Sequence, residues 1–324
     1  MNDDQEQSSG DLQRPPSERA GSGAPVDALT GAYEGTERAE GGRYIPTQRA
    51  HPRQAKPLAE WESRPKILVT NDDGIESRGL LMLKQALEPV GDVYVMAPDT
   101  NQSAVGHAMT FMRPLRVRER ILDDGSPGFS VDGSPTDAVS LAFLGYFGVA
   151  FDLVASGINY GSSLGDDITY SGTVGAAMEA VLSGCPAFAM SQEFEGEPDF
   201  DLARQVAGMV ARNVLEHGLG EGELLNVNVP AVSAEECGGI ELTRMGKRIY
   251  QDQLLERLDP RGTPYYWFGG PPPTGVAEPG TDFHAVDSGR VAVTPIHLDL
   301  TARRLLGRIR DWEWQLDEDA LAEG

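Results

Sequence analysis

A chain of 324 residues with 40% hydrophobic residues can build one large domain or two modest ones around a real core. Its formal net charge of -23 excludes nucleic-acid backbones and anionic membrane surfaces as partners, because both demand clustered Lys and Arg to displace counterions. Apolar runs such as Leu141 to Ala155 are broken by Gly and Asp and fall short of a membrane span, while Cys185 and Cys237 stand in no metal-ligand or redox spacing and read as unpaired thiols.

The chain starts with an acidic, polar stretch, Met1 to Gly10, unlike a secretory leader, so a cytoplasmic location is expected. Residues 1–62 are rich in Gly, Ser, Pro and Gln without an apolar period, which predicts a disordered N-terminal tail. From Pro65, short β-rich runs alternate with helical ones, the pattern of parallel strands joined by helical crossovers. Lys66 to Thr70 and Asp92 to Ala97 read as buried strands. Between them Leu80, Leu81, Leu83, Lys84 and Leu87 share one helical face, and Pro89 with Gly91 stops the helix. Phe129 to Asp132 reads as a strand, and Ser134-Pro135-Thr136-Asp137 as a capping box opening a helix that runs to about Phe147. Asp152 to Ser156 and Ala187 to Ser191 are further strands. An amphipathic helix follows through Leu202, Val206, Met209, Val210 and Leu215, capped by Asp201 and ended by Gly218. Leu224 to Val229 is expected to be the last core strand, with residues 231–302 forming an extended β-rich arm that includes an alternating run at Arg290 to Leu300. The fold class is therefore α/β: a Rossmann-like, mostly parallel sheet with flanking helices over about 63–230, then the arm, then a tail at 303–324 with helical character.

Three stretches carry chemistry. Asn71-Asp72-Asp73-Gly74 follows the first strand, and ligands of open α/β sheets gather at strand carboxyl ends. Two carboxylates at a bend that Gly74 permits make a hard oxygen site; taken alone, the same four residues also describe an ordinary turn. Ala97 to Ser103 follows the next strand on the same sheet edge and offers amide and hydroxyl oxygens; His107 beyond it is assigned no catalytic part. The longest stretch is Ser156 to Met178, in which Ser171, Gly172 and Thr173 place two hydroxyls and free N–H groups at a helix N-terminus, a natural seat for phosphate.

These motifs, with Gly133 to Asp137, Leu225 to Pro230, Arg244 to Tyr250, Asp259 to Gly262 and Thr294 to Thr301, resemble the SurE family of nucleotidases in order and content across roughly residues 65–302. The resemblance implies one divalent cation per subunit, magnesium or manganese, held by Asp72, Asp73, Ser103 and Asn159. It implies phosphate contacts from Asn101, Ser171, Gly172 and Thr173, with Asp72 and Asp73 also catalytic. It further implies a metal-dependent phosphomonoesterase acting on nucleoside 5′-monophosphates, with 3′-monophosphates and short polyphosphate permitted, and a homodimer or homotetramer built through the arm. Ser162-Ser163 departs from the relatives' pattern, which has Asn before the Leu-Gly pair. The rival readings are a nucleoside hydrolase and a nucleotide-binding sensor without turnover. Water and aspartate both stand as candidate nucleophiles.

Overall fold

The computed structural model describes residues 57–249, 253–269, 274–312 and 314, with the backbone of a small ladder between Arg38–Ala39 and Gly42–Arg43. Most of the N-terminal tail reading, the end of the C-terminal one (315–324) and Tyr250 lie outside the described residues. Leu58 and Trp61, just inside them, pack against the core.

The first strand, β1 (Lys66–Thr70), leads through helix α1 (Arg78–Leu87) to β2 (Asp92–Pro98). Then come β3 (Val117–Ile121), β4 (Pro127–Val131) and α2 (Pro135–Leu141), where Ser134 and Asp137 form the reciprocal capping box. The α2 segment continues as a π turn over Ala142–Tyr146, which Gly145 breaks at φ 105°. Next are β5 (Leu153–Tyr160), α3 (Gly172–Leu182), β6 (Ala187–Gln192), α4 (Asp201–His217) and β7 (Glu223–Val229). Beyond β7 lie β8 (Ile240–Leu242), a hairpin of β9 (Gln253–Leu258) and β10 (Pro264–Gly269), α5 (Asp282–Asp287), β11 (Val291–His297) and α6 (Arg303–Ile309), besides a short ladder between Arg248–Ile249 and Thr274–Gly275.

Nine strands form one sheet in the order β8-β11-β7-β6-β5-β1-β2-β4-β3. From β2 across β1, β5 and β6 to β7 all pairing is parallel, as is β2 with β4. Both sheet faces are covered, as parallel sheets require. Ile67 and Val69 point to the side packed by Leu80, Leu83 and Leu87 of α1 and Val206, Val210 and Val214 of α4. Leu68 points to the opposite side, against Ala138 and Val139 of α2 and Val174 and Ala177 of α3. The chain runs from β1 outward to β2 and returns past it to β5, so the strand order reverses between β1 and β5. That switch opens a crevice at the strands' carboxyl ends.

Two sequence expectations change, and one strand was not anticipated. Leu224–Val229 is not the last core strand: β11 pairs antiparallel with β7 and carries β8 on its other side, so the arm returns to cover what would be a bare edge. The charged run at β3, unassigned in the sequence, closes the opposite edge against β4. Asp201 does not cap α4; the Asp199 carboxylate accepts the Asp201 N–H at 2.9 Å instead.

Lys84 sits among the apolar residues of α1 because its stem is buried while its ammonium reaches Glu88 at 2.6 Å and Asp124 at 2.7 Å. Burial alone would raise the Asp124 carboxyl, but hydrogen bonds from Lys84 and Ser126 outweigh it and hold the group at about 2. A folded-state value below the unfolded one contributes stability that is fully present above about pH 4 and lost as pH falls through about 2. Asp124→Asn is therefore expected to cost about 1 kcal/mol at pH 7 after solvent screening. Thermal unfolding should show the gap to wild type closing between pH 5 and pH 2; a constant gap would contradict the linkage.

Candidate active site

The turn after β1 is shaped by its own side chains. Asn71 accepts from the Gly74 N–H and donates to the Gly74 carbonyl, both at 3.2 Å. Gly74 adopts φ 104°, and a Cβ there would lie 3.2 Å from the Thr100 carbonyl carbon, so glycine suits both the turn and the packing. Main-chain bonds from Gln102 to Asp72 and from Ile75 to Pro98 clamp this turn to the loop after β2. The two loops thus act as one wall of the crevice.

Asp72 is buried at the foot of that wall, 3% exposed. The Thr173 hydroxyl donates to it at 2.5 Å, and a Cβ on Gly172 would come within 2.8 Å of its own Cβ. The N-terminus of α3 is therefore seated directly on Asp72. Burial pushes the Asp72 carboxyl up, opposed by the Thr173 hydroxyl and by backbone N–H groups at Asp72, Thr173 and Gly172. Asp73 is pushed up to about 6, first by burial and then by the charge of Asp72, with the Tyr160 N–H opposing. Its two oxygens accept from the Tyr160 N–H at 3.2 Å and the Asn101 amide at 3.3 Å.

Asn101 also accepts from the Ser103 N–H at 2.9 Å, holding the second loop in a tight turn. The next residue, Ala104, is the non-glycine position with positive φ (61°) among the described residues. At the end of β5, Asn159 donates its amide to the Gly161 carbonyl at 2.8 Å. Its Oδ1 and the Ser103 Oγ carry no hydrogen bond among the described residues. Two crowded carboxylates with amide and hydroxyl oxygens beside them are the donor type a hard divalent cation takes.

Ser171 caps α3, its Oγ accepting from the Val174 N–H at 3.2 Å. Of the two hydroxyls expected to face phosphate, Thr173 is spent on Asp72, and Ser171 is engaged with the Val174 N–H and the Ser163 hydroxyl. His107 bonds Glu179 at 3.0 Å, two turns along α3 from the carboxylates, and Ser140 holds the other Glu179 oxygen at 2.7 Å. That places His107 in the packing between loop and helix.

The structure therefore brings Asp72, Asp73, Asn101, Ser103, Asn159 and the Ser171–Thr173 cap to one crevice. A family model, "Survival protein SurE", matches residues 67–252. The chain belongs to the SurE family. It is 47% identical over 251 residues to the 5′-nucleotidase SurE of Chloroflexus aggregans, covering 77% of this chain and 99% of that protein. The 5′-nucleotidase SurE of Geobacter sulfurreducens is 49% identical over 248 residues, covering 76% and 93%. The crystal structure of the SurE protein from Aquifex aeolicus superposes with a TM-score of 0.65 at 42% identity, covering 76% of this chain and 98% of that one.

Within this SurE fold, Ser163 proves to be a buried junction. Its Oγ meets Ser171 and Ser191 at 3.1 Å each, its N–H reaches Asn228 at 2.8 Å, and its carbonyl accepts from Asn226 and Asn228 at 2.8 and 3.1 Å. The helix cap is thereby tied to β6 and β7. Buried Asp282 of α5 extends the bracing, accepting from the Gly165 N–H at 2.8 Å and the Gly246 N–H at 2.7 Å. Sequence reasoning gave no role to Ser191 or Asp282, and named Asn226 and Asn228 only within the family-like run Leu225 to Pro230. The available signal was Asn226-Val227-Asn228, two amides in a core strand whose side chains needed buried partners.

Proposed function

We propose that this SurE protein is a divalent-cation-dependent phosphomonoesterase that releases phosphate from nucleoside 5′-monophosphates. One observation carries the reading: a pair of crowded carboxylates at the strand-order switch lies directly against a helix N-terminus. Carboxylates alone would repel a phosphate ester, and the chain as a whole is strongly anionic. A helix N-terminus draws an anion to the same spot through its dipole. Such a pairing makes sense where a cation and a phosphate meet.

Asp72, Asp73, Asn159 and Ser103 would hold the cation, and Asn101 and the Ser171–Thr173 turn the phosphate. When bound, a magnesium or manganese ion would withdraw charge from the phosphoryl oxygens and make water a better nucleophile. The chain's own work is to fix positions. Thr173 locks the Asp72 rotamer, Asn101 and the Tyr160 N–H orient Asp73, and Ser163 anchors the Ser171 cap. One of the two aspartates takes the proton of an attacking water; direct attack by an aspartate would instead leave a trappable phosphoenzyme.

The proposal extends to 3′-monophosphates and short polyphosphate, whose phosphate groups present the same chemistry. It includes a cytoplasmic setting, which the free thiols of Cys185 and Cys237 suit. No helix of the described residues is long and apolar enough to cross a membrane. It also includes a homodimer or homotetramer, since the β9–β10 hairpin presents Leu254, Trp267 and Phe268 to solvent. Mass in solution checks that point, and a monomer would count against it.

Product analysis after incubation with 5′-AMP tests the reaction itself. Adenosine and phosphate in equal amounts are expected. Free adenine with ribose 5-phosphate would mark a nucleoside hydrolase, and bound, unchanged nucleotide a sensor.

A further inference from the structure

Tyr160 ends β5 immediately after Asn159, and its N–H holds an Asp73 oxygen at 3.2 Å. Its ring leans on Phe194, centroids 5.2 Å apart and planes 37° apart, and meets Phe200 edge-on at 5.6 Å. Phe194 and Phe200 brace each other at 5.0 Å, and the Arg78 guanidinium lies 5.7 Å from the centre of the Phe200 ring. Phe200 is buried, yet Tyr160 keeps 41% of its surface in solvent. A large aromatic ring is thus held rigid from behind and left open in front, one residue from the candidate cation and phosphate site.

Packing of α4 explains buried Phe200 but gives no reason for the exposed face of Tyr160. A flat, braced aromatic surface stacks well against another π system, and such stacking tolerates any base because each has a π face.

We propose that Tyr160 is the platform on which the substrate's nucleobase stacks, making it a specificity-determining residue that favours nucleotides over base-free phosphate esters. The inference rests on the phosphatase reading above. It separates substrates by the presence of a base rather than by its identity, so purine and pyrimidine monophosphates should differ less from one another than either does from ribose 5-phosphate.

The test compares wild type, Tyr160→Ala and Tyr160→Phe on 5′-AMP, 5′-CMP and ribose 5-phosphate with manganese present. In Tyr160→Ala, the ratio of kcat/KM for 5′-AMP to that for ribose 5-phosphate should fall roughly tenfold or more, carried by KM. Tyr160→Phe, which keeps the ring, should restore the wild-type ratio. An unchanged ratio in Tyr160→Ala, or a loss carried wholly by kcat on all three substrates, would overturn the platform and leave only a role in supporting Asp73. Wild-type protein inactive on every substrate would overturn the phosphatase reading as well, so the two failures are distinguishable.

Discussion

Asp72→Asn and Asp73→Asn are each expected to lower kcat/KM for 5′-AMP by about a thousandfold or more while the chain stays folded. A bound cation supplies several kcal/mol of charge stabilisation in a phosphoryl-transfer transition state, and each 1.4 kcal/mol is about tenfold in rate. Removing one of the two carboxylates proposed to hold it would take away much of its attachment. The fold should survive because neither charge contributes to packing. Both carboxyls are raised by burial, and Asp73 also by its neighbour's charge, so a neutral amide relieves an unfavourable contact. Thr173 can still donate to an amide oxygen at position 72. Steady-state kinetics beside thermal unfolding separates these effects; retained activity in both variants would refute the site assignment.

Gly172→Ala is expected to cost about a hundredfold in kcat/KM with a melting temperature several degrees lower. A methyl there would sit 2.8 Å from the Asp72 Cβ, 3.0 Å from its Oδ2 and 3.2 Å from Val105. Overpacking of this kind costs about 1–3 kcal/mol. The α3 N-terminus must back away from Asp72, breaking the Thr173 contact and shifting the Ser171 cap. Misplacement of reacting groups by about 1 Å is enough for a hundredfold loss. Gly307→Ala, where added atoms meet nothing, is the control and should leave both quantities near wild type. A Gly172→Ala protein with full activity would show that the helix seat on Asp72 does not matter.

How much of this was legible in the sequence follows from the range of the interactions involved. The Asp72–Asp73 turn and the Ser171 cap are local: a strand period running into Asn-Asp-Asp-Gly, and a polar cap opening a helix of small residues, declare their places within a few positions. The parallel core was readable for the same reason, from apolar runs alternating with amphipathic helices. What could not be read depends on distant partners. Ser163 meets Asn226 and Asn228 some 63 and 65 residues away, and Asp282 reaches Gly165 across 117. The return of β11 into the sheet is of this kind too, because its alternating pattern indicates a strand without naming the edge it will cover. Nor could the sequence say that Thr173 turns its hydroxyl to a carboxylate rather than toward a ligand. Ser163 became intelligible only once the neighbouring strands supplied its partners.

The most direct test of the central claim is phosphate release from 5′-AMP by the full chain, first in EDTA and then with magnesium or manganese restored. The account predicts no release under chelation and full recovery on adding either ion, with the recovery absent in Asp72→Asn. Equal release in EDTA, or recovery that survives in Asp72→Asn, would contradict it.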